Sequence, residues 1–208
     1  EMAQLLYREW FVRFRFPGHE RVRMVESALG MIPEGWEVVK VGDLLAKIER
    51  KKRIPKQDYE YAGFPVIDQG RDFIGGYTSD LDAVYEASLP IIIFGDHTRI
   101  LKYADFPFAC GADGTQLLKS NTNRMPDSLF YYVLQAIDLS DFAYARHFKF
   151  LKEEKVILPS IEQANPFADY VSPLRDLIRV LSTRNTMLCT TRDLLLPRLI
   201  SGELDVSE

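Results

Sequence analysis

Three groups of residues have the types and spacing to do chemistry. The first is Asp96-His97-Thr98-Arg99, the most polar cluster in the central region, directly after an apolar run that ends in Gly95. A catalytic role would make His97 a general base oriented by Asp96. No Gly-x-Ser-x-Gly nucleophile motif accompanies it, and neighbours on a strand point to opposite faces, so the two do not form a dyad. The second group is Pro126-Asp127 with Glu153-Glu154-Lys155. It matches the Pro-Asp…(Asp/Glu)-x-Lys pattern of small metal-dependent nucleases, which hold Mg²⁺ between two carboxylates beside a lysine. Asp127 is better read as a helix cap, and Glu153 and Glu154 as a charged turn before a strand. The third is Asn165-Pro166-Phe167, which lacks one proline of the Asn-Pro-Pro-Tyr/Phe loop of adenine methyltransferases and has no glycine-rich cofactor loop upstream. Pro166 fits the first turn of a helix, where a missing N–H costs nothing.

The elements that would position these residues follow from periodicity and turn residues. Met2, Leu5, Leu6, Trp10 and Phe11 read as the apolar side of a helix ended by Phe16-Pro17-Gly18. Residues 17–35 read as a connector. Val38 to Val41 predicts a strand, and Asp43 is expected to cap a short amphipathic helix reaching Ile48. Residues 57–120 read as β-rich: Phe64–Asp68, Leu89–Phe94 and Thr115–Leu118 are short runs separated by Gly70, Gly75-Gly76, Gly95-Asp96, Gly111 and Asp113-Gly114. The unbroken Ile91 to Phe94 predicts a central strand buried on both faces. Pro126-Asp127-Ser128 starts a helix through Ile137, with Leu129, Tyr132, Val133 and Ala136 on one face. A second short helix is expected over Ser140 to Tyr144, and a last strand over Val156 to Leu158. The sum is an α/β (α+β) domain.

Composition narrows the function. The chain has 208 residues, 47% of them hydrophobic, enough for one core. No apolar run is long enough to span a membrane. The start, Glu1-Met2-Ala3-Gln4, reads as an internal cut or a processed start. Cys110 and Cys189 are the only cysteines and are expected to be reduced thiols of a cytoplasmic protein; zinc-type ligand spacing is absent. The net charge of −4 counts against binding nucleic acid by bulk electrostatics but allows a local patch. Lys47 to Lys56 supplies one, with six basic residues and one acid. Such a run is often only a solvated surface; leading into Pro55 on a folded scaffold, it is also where phosphate contacts are made.

From Phe167 the chain carries a heptad stripe: Phe167, Val171, Leu174, Ile178, Leu181, Asn185, Leu188, Arg192, Leu195 and Leu199. A helix of about 36 residues would run roughly 54 Å at 1.5 Å per residue. It is expected to project and to pair with another helix, with Asn185 setting register at some cost in stability.

This tail opens with Pro159-Ser160-Ile161-Glu162-Gln163 and closes with Arg192-Asp193-Leu194-Leu195-Leu196-Pro197-Arg198-Leu199-Ile200-Ser201-Gly202-Glu203-Leu204. It resembles the distal conserved region of type I restriction-modification specificity subunits. Tyr7 to His19 resembles the exit of that family's central conserved helix, and Ile32-Pro33-Glu34-Gly35-Trp36 the lead-in to a target-recognition domain. The resemblance implies residues 1–16 as the end of the central helix, 17–35 as connector, 36–159 as target-recognition domain, 160–202 as the conserved coiled-coil helix and 203–208 as tail. The chain looks like the second half of such a subunit, or a truncated relative.

The family's implied role is non-catalytic. One DNA half-site is held by each recognition domain, and the helices set spacing and dock methyltransferase (modification) subunits, with the restriction/translocase subunit joining indirectly. No cofactor is expected on the chain; S-adenosylmethionine, ATP and Mg²⁺ would belong to the partners. Alternatives are a half-subunit that homodimerises on a bipartite palindromic site and, more distantly, the small nuclease. DNA-contact candidates are Lys51, Lys52, Arg53 and Lys56, then Gln69, Arg71 and Tyr77 in the glycine-rich loops, His97, Thr98 and Arg99, and Arg146 and Lys149. Arg and Gln can read guanine and adenine bidentately in the major groove, while an ordinary glycine-rich hairpin is the competing reading of each loop. Phe148 and Phe150 are expected to point inward. Val171, Leu174, Ile178, Leu181, Asn185, Leu188 and Leu195 are the expected helix-partner interface.

Overall fold

A computed structural model describes residues 1–112, 114–141 and 146–203. The chain divides into two compact units, Glu1–Ala168 and Asp169–Glu208.

The first unit is built on two β-sheets. One has the order β10–β7–β8, where β7 is Ile91–Gly95, β8 Leu101–Ala104 and β10 Thr115–Leu118. The other has the order β5–β4–β9–β6, from Gly76–Thr78, Phe64–Ile67, Phe108–Cys110 and Val84–Tyr85. All pairs are antiparallel except β4 with β9. Ile91 and Ile93 of β7, Ala104, Ile67, Phe108, Cys110 and Tyr85 form one buried cluster between the sheets. The far face of β4 and β9 is closed by Ile54, Val66, Ala83 and Ala109. Every residue of β7 is buried, as the uninterrupted isoleucine run predicts. Burial also pushes the Cys110 thiol up to about 11, so it stays protonated and inert at neutral pH.

Helices cover the remaining surface. α2 (Asp127–Gln135) lies against β7 and β8, and α3 (His147–Glu153) meets β7 through Phe94 and Phe148, whose ring centres are 6.3 Å apart. α2 buries Leu129, Phe130, Val133 and Leu134; Tyr132 is half-buried and Ala136 exposed, so its buried face is turned from the expected one. β3 (Glu37–Lys40) pairs with β11 (Lys155–Leu158), strands more than a hundred residues apart in sequence. The expected helix after β3 is one 3₁₀ turn, Val41–Leu44, with Lys40 rather than Asp43 at its cap. After a β-bridge from Leu45 to Ser120, residues 46–53 run without regular structure, with Ile48 packed against the inter-sheet cluster. The connector holds a hairpin, β1 (Met24–Ser27) with β2 (Gly30–Pro33). Residues 142–145 of the short helix expected near Ser140, Asp113 of the expected Asp113-Gly114 turn, and residues 204–208 of the tail lie outside the described residues.

α1 (Met2–Tyr7) continues as a π-helical segment, Arg8–Val12. It buries Ala3, Tyr7, Trp10 and Phe11, while Met2 and Leu5 of the expected apolar side are exposed. The buried rings meet an aromatic cluster. Trp36 stacks on Phe16 at 5.4 Å and lies 5.7 Å from Phe11, and Phe167 sits edge-on to Phe11 at 5.2 Å and to Tyr132 at 6.0 Å. Arg124 ties the same region by hydrogen bonds to the carbonyls of Gly35, Leu158 and Pro159 and an ion pair with Glu37.

α4 (Ile161–Ile200) starts in the first unit and provides the second. The Ser160 hydroxyl hydrogen-bonds the Gln163 side chain, and its carbonyl accepts from the Gln163 and Ala164 N–H groups, the geometry of a helix start. Pro166 therefore lies six residues into the helix rather than in its first turn, and the helix runs through Pro173 without a break. Phe167, read above as the first seam residue, is a core residue of the first unit.

Candidate nucleic-acid interface

The polar loops predicted from sequence converge through hydrogen bonds. The segment after β4 begins at Asp68 and carries Gln69 and Arg71; the segment after β7 carries Asp96 to Arg99. Gln69 joins them. Its side-chain Oε1 accepts from the His97 N–H at 3.2 Å, and its carbonyl accepts from the Thr98 hydroxyl at 2.7 Å. Gly114 completes the junction: its φ is +65°, and a Cβ there would sit 2.7 Å from the Gln69 amide and 2.8 Å from the His97 ring. Only glycine lets the backbone approach that closely.

Asp96 brings in a third segment. It is buried, its N–H donates to the Gly114 carbonyl at 2.6 Å, its own carbonyl accepts from His147 N–H at 3.0 Å, and its carboxylate accepts from Phe148 N–H at 2.8 Å. The carboxylate thus holds the N-terminal end of α3, and Arg146 and Lys149 follow as exposed cations. His147 and Leu151 are the buried residues of α3, while Phe148 and Phe150 are only half-buried. Phe148 still packs inward on the buried Phe94 ring, as expected. Asp96 is committed to α3 and orients no histidine, so the geometry agrees with the absence of a catalytic dyad.

The basic run joins from the other side. Ile54 N–H donates to Cys110 O at 3.0 Å and Ile54 O accepts from Ala112 N–H at 2.9 Å, while Gly111 N–H donates to Ile67 O at 2.9 Å. Arg53 and Lys56 therefore flank an anchor beside the end of β4. Both are exposed, and neither side chain has a hydrogen bond or ion pair among the described residues. Lys51 and Lys52 differ. Lys51 Nζ donates to the Val84 carbonyl and lies 5.9 Å from the centre of the Tyr85 ring; Lys52 pairs with Asp80 at 2.5 Å. Those two cations are already engaged within the fold.

Two other candidates are placed differently. Arg99 has a φ of +61° and donates to the Leu139 carbonyl at 3.0 Å, so it braces the chain after α2 instead of reaching outward. Tyr77 pairs with Pro65 on β5, back from the loop end of β4. Arg71, His97 and Thr98 remain exposed on the loops. Sequence reading missed Lys102, which is 3% exposed and reaches the Asp68–Asp72 loop from β8. Its only sequence signal is a lysine in phase with Ala104 on a short apolar strand.

The nuclease constellation does not assemble. Asp127 does not cap α2: its carboxylate accepts from Ser120 N–H at 2.8 Å and pairs with Lys119 at 3.0 Å. Glu153 and Glu154 do precede a strand, β11, but Glu153 is the last residue of α3 and pairs with Lys40 at 2.7 Å, which holds its carboxyl below the ordinary glutamate range. Among the described residues no group of three or more His, Cys, Asp or Glu could hold a metal ion, and no helix is long and apolar enough to cross a membrane.

The family described as type I restriction modification DNA specificity domain matches residues 33–188. The chain belongs to this family. A specificity subunit of the type I restriction enzyme EcoR124I/EcoR124II from Escherichia coli is 35% identical over 85 residues, covering 40% of this chain and 21% of the relative. The MjaIX specificity subunit from Methanocaldococcus jannaschii is 27% identical over an alignment of 231 positions, covering the whole chain and 53% of the relative. The type I restriction-modification S subunit of M. genitalium shares the fold, with a TM-score of 0.58 and 19% identity over 80% of this chain and 46% of that one. The chain thus spans about half the length of the MjaIX relative, and its matched segment about a fifth of the EcoR124I/EcoR124II one.

In the second unit, Val171 is buried and Leu174 partly so, but Ile178, Leu181, Asn185, Leu188 and Leu195 are exposed. The stripe expected at a helix-partner interface is available along most of its length.

Proposed function

We propose that this chain is a DNA-reading module of a type I restriction-modification complex and has no catalytic site of its own. The observation that carries the reading is the hydrogen-bonded convergence of the segments bearing Arg53, Lys56, Gln69, Arg71, His97, Thr98, Arg146 and Lys149. Arg71 has the donors to read base edges, Gln69 holds the adjoining loop through His97 N–H, and the remaining cations suit phosphates. Such loops read one DNA half-site, while α4 sets the distance to a second site and docks methyltransferase subunits, with the restriction/translocase subunit recruited through them. S-adenosylmethionine, ATP and Mg²⁺ serve those partners, and the assembly works in the cytoplasm. Sequencing methylated adenines in a host carrying the intact system tests this: a bipartite motif should appear, and one half of it should vanish when residues 36–159 are replaced by those of a relative. An unchanged motif would overturn the reading.

A second arrangement is favoured by the exposed stripe on α4: two copies pair and read a palindromic bipartite site.

The phosphate role divides the basic run. Arg53→Ala with Lys56→Ala should weaken binding to all duplexes alike and flatten the slope of log K against log salt by up to about 0.9 per lost contact. Lys51→Ala and Lys52→Ala should change that slope less, because their ammonium groups are engaged with Val84 and Asp80. Equal effects from the two pairs, in titrations across salt concentrations, would count against this assignment.

A further inference from the structure

Lys102 is the most unusual side chain in the first unit. It lies on β8 in phase with Ala104, facing the buried space between the sheets, and is 3% exposed. A buried ammonium is costly unless its donors are satisfied. Here they go to the two ends of one loop: Asp68 O at 2.8 Å and Asp72 O at 2.5 Å, with the Asp68 carboxylate 3.8 Å away. Burial pushes the Lys102 pKa below the ordinary lysine value, and Asp68 and Asp72 oppose that shift.

The loop between those carbonyls carries Gln69 and Arg71. It is braced again by Asp68, whose carboxylate accepts from Gly70 N–H at 2.8 Å and from the Tyr59 hydroxyl at 3.1 Å. Gly111 packs so closely on Asp68 that a Cβ there would sit 2.6 Å from the Asp68 Cβ. The lysine belongs to one sheet and the loop follows a strand of the other, so its two hydrogen bonds and the nearby Asp68 carboxylate tie the two sheets at the end where the candidate reading residues stand.

We propose that Lys102 is a specificity-determining positioning residue, which holds the Gln69–Arg71 loop in the single conformation needed to read bases. It touches no DNA itself. The inference rests on the DNA-reading function proposed above. Its energetic logic is preorganisation: a loop already ordered pays less on binding, and a bidentate contact discriminates only when its donors are fixed.

The test uses the full chain and a duplex library randomised over its central positions. Lys102→Met should reduce a preference of about tenfold or more at the loop's base positions to about threefold or less. Sequence-independent affinity and its salt slope should stay unchanged. Leu129→Ala, which destabilises the core under α2, should leave the preference intact, separating positioning from general stability. In the wild type the Gly70 amide should exchange slowly with deuterium, and in Lys102→Met quickly. Retained base preference in a folded Lys102→Met chain would overturn the proposal, as would fast Gly70 exchange in the wild type. If Lys102→Met does not fold, Lys102→Gln and the wild-type exchange decide. A wild type that enriches no sequence would count against the DNA-reading function itself, while Gly70 exchange would still report on the clamp.

Discussion

Phe167→Ala should lower the stability of the first unit by about 3–5 kcal/mol, as expected for a fully buried phenylalanine whose cavity cannot collapse. Phe167 has no exposed surface and contacts three rings from two other places in the chain: Trp10 at 6.3 Å, Phe11 at 5.2 Å and Tyr132 at 6.0 Å. Phe11 in turn meets Trp36, so the cluster around Phe167 links the N-terminal helix, the segment before β3, α2 and the first turns of α4. Rigid neighbours from several elements relax little, which places the cost in the upper part of the range seen for such truncations. Against a typical total of about 5–15 kcal/mol, the variant should lose between about a fifth and all of its stability. Urea denaturation followed by tryptophan fluorescence measures this directly, since Trp10 and Trp36 sit in the same cluster. A loss below about 1 kcal/mol would mean that Phe167 is not the centre of that core.

Much of this fold was legible because some segments state their environment locally. Ile91-Ile92-Ile93-Phe94 can only be a strand with two dry faces, and the Ser160 to Gln163 start and heptad stripe specify a long helix. The strands that went unseen are short and owe their pairing to distant partners. β6 has two residues, and β9 is fixed by β4, forty-odd positions away, in the parallel register Val66 to Ala109. Nothing local announces such a pair. The hairpin in the connector was hidden because Met24 and Met31 stay exposed and leave no alternating pattern.

The candidate site was legible by residue type and not by role. Arg71, His97 and Thr98 were found from polarity and glycine punctuation, and they do stand on adjoining loops. Charge alone could not separate Arg53 from Lys51, because the difference lies in Tyr85 and Val84, which approach from another strand. Lys102 and Arg124 were invisible for the same reason. Lysine and arginine in sequence look like surface, and only the fold reveals that their donors close on backbone carbonyls far along the chain.

The arm supplies the other large effect. Ile178, Leu181 and Leu188 are 62%, 53% and 69% exposed, at heptad spacing on one helix. Burying each leucine or isoleucine against a partner should contribute about 1.5–3 kcal/mol. Leu181→Asp would remove one such term and place an unpaired carboxylate in an apolar seam, costing several kcal/mol more. Assembly with methyltransferase subunits, or with a second copy, should therefore weaken by at least about a hundredfold at 1.4 kcal/mol per decade. The same change should leave the first unit's unfolding curve where it was, because in the lone chain residue 181 faces water. Asn185→Leu should act in the opposite direction. It replaces an amide that needs a partner when buried, so the complex should melt higher while accepting more than one register. Light scattering and copurification read both outcomes. If Leu181→Asp leaves oligomeric state and copurification untouched, α4 is not a spacer that pairs through this stripe, and the distance between half-sites must be set elsewhere.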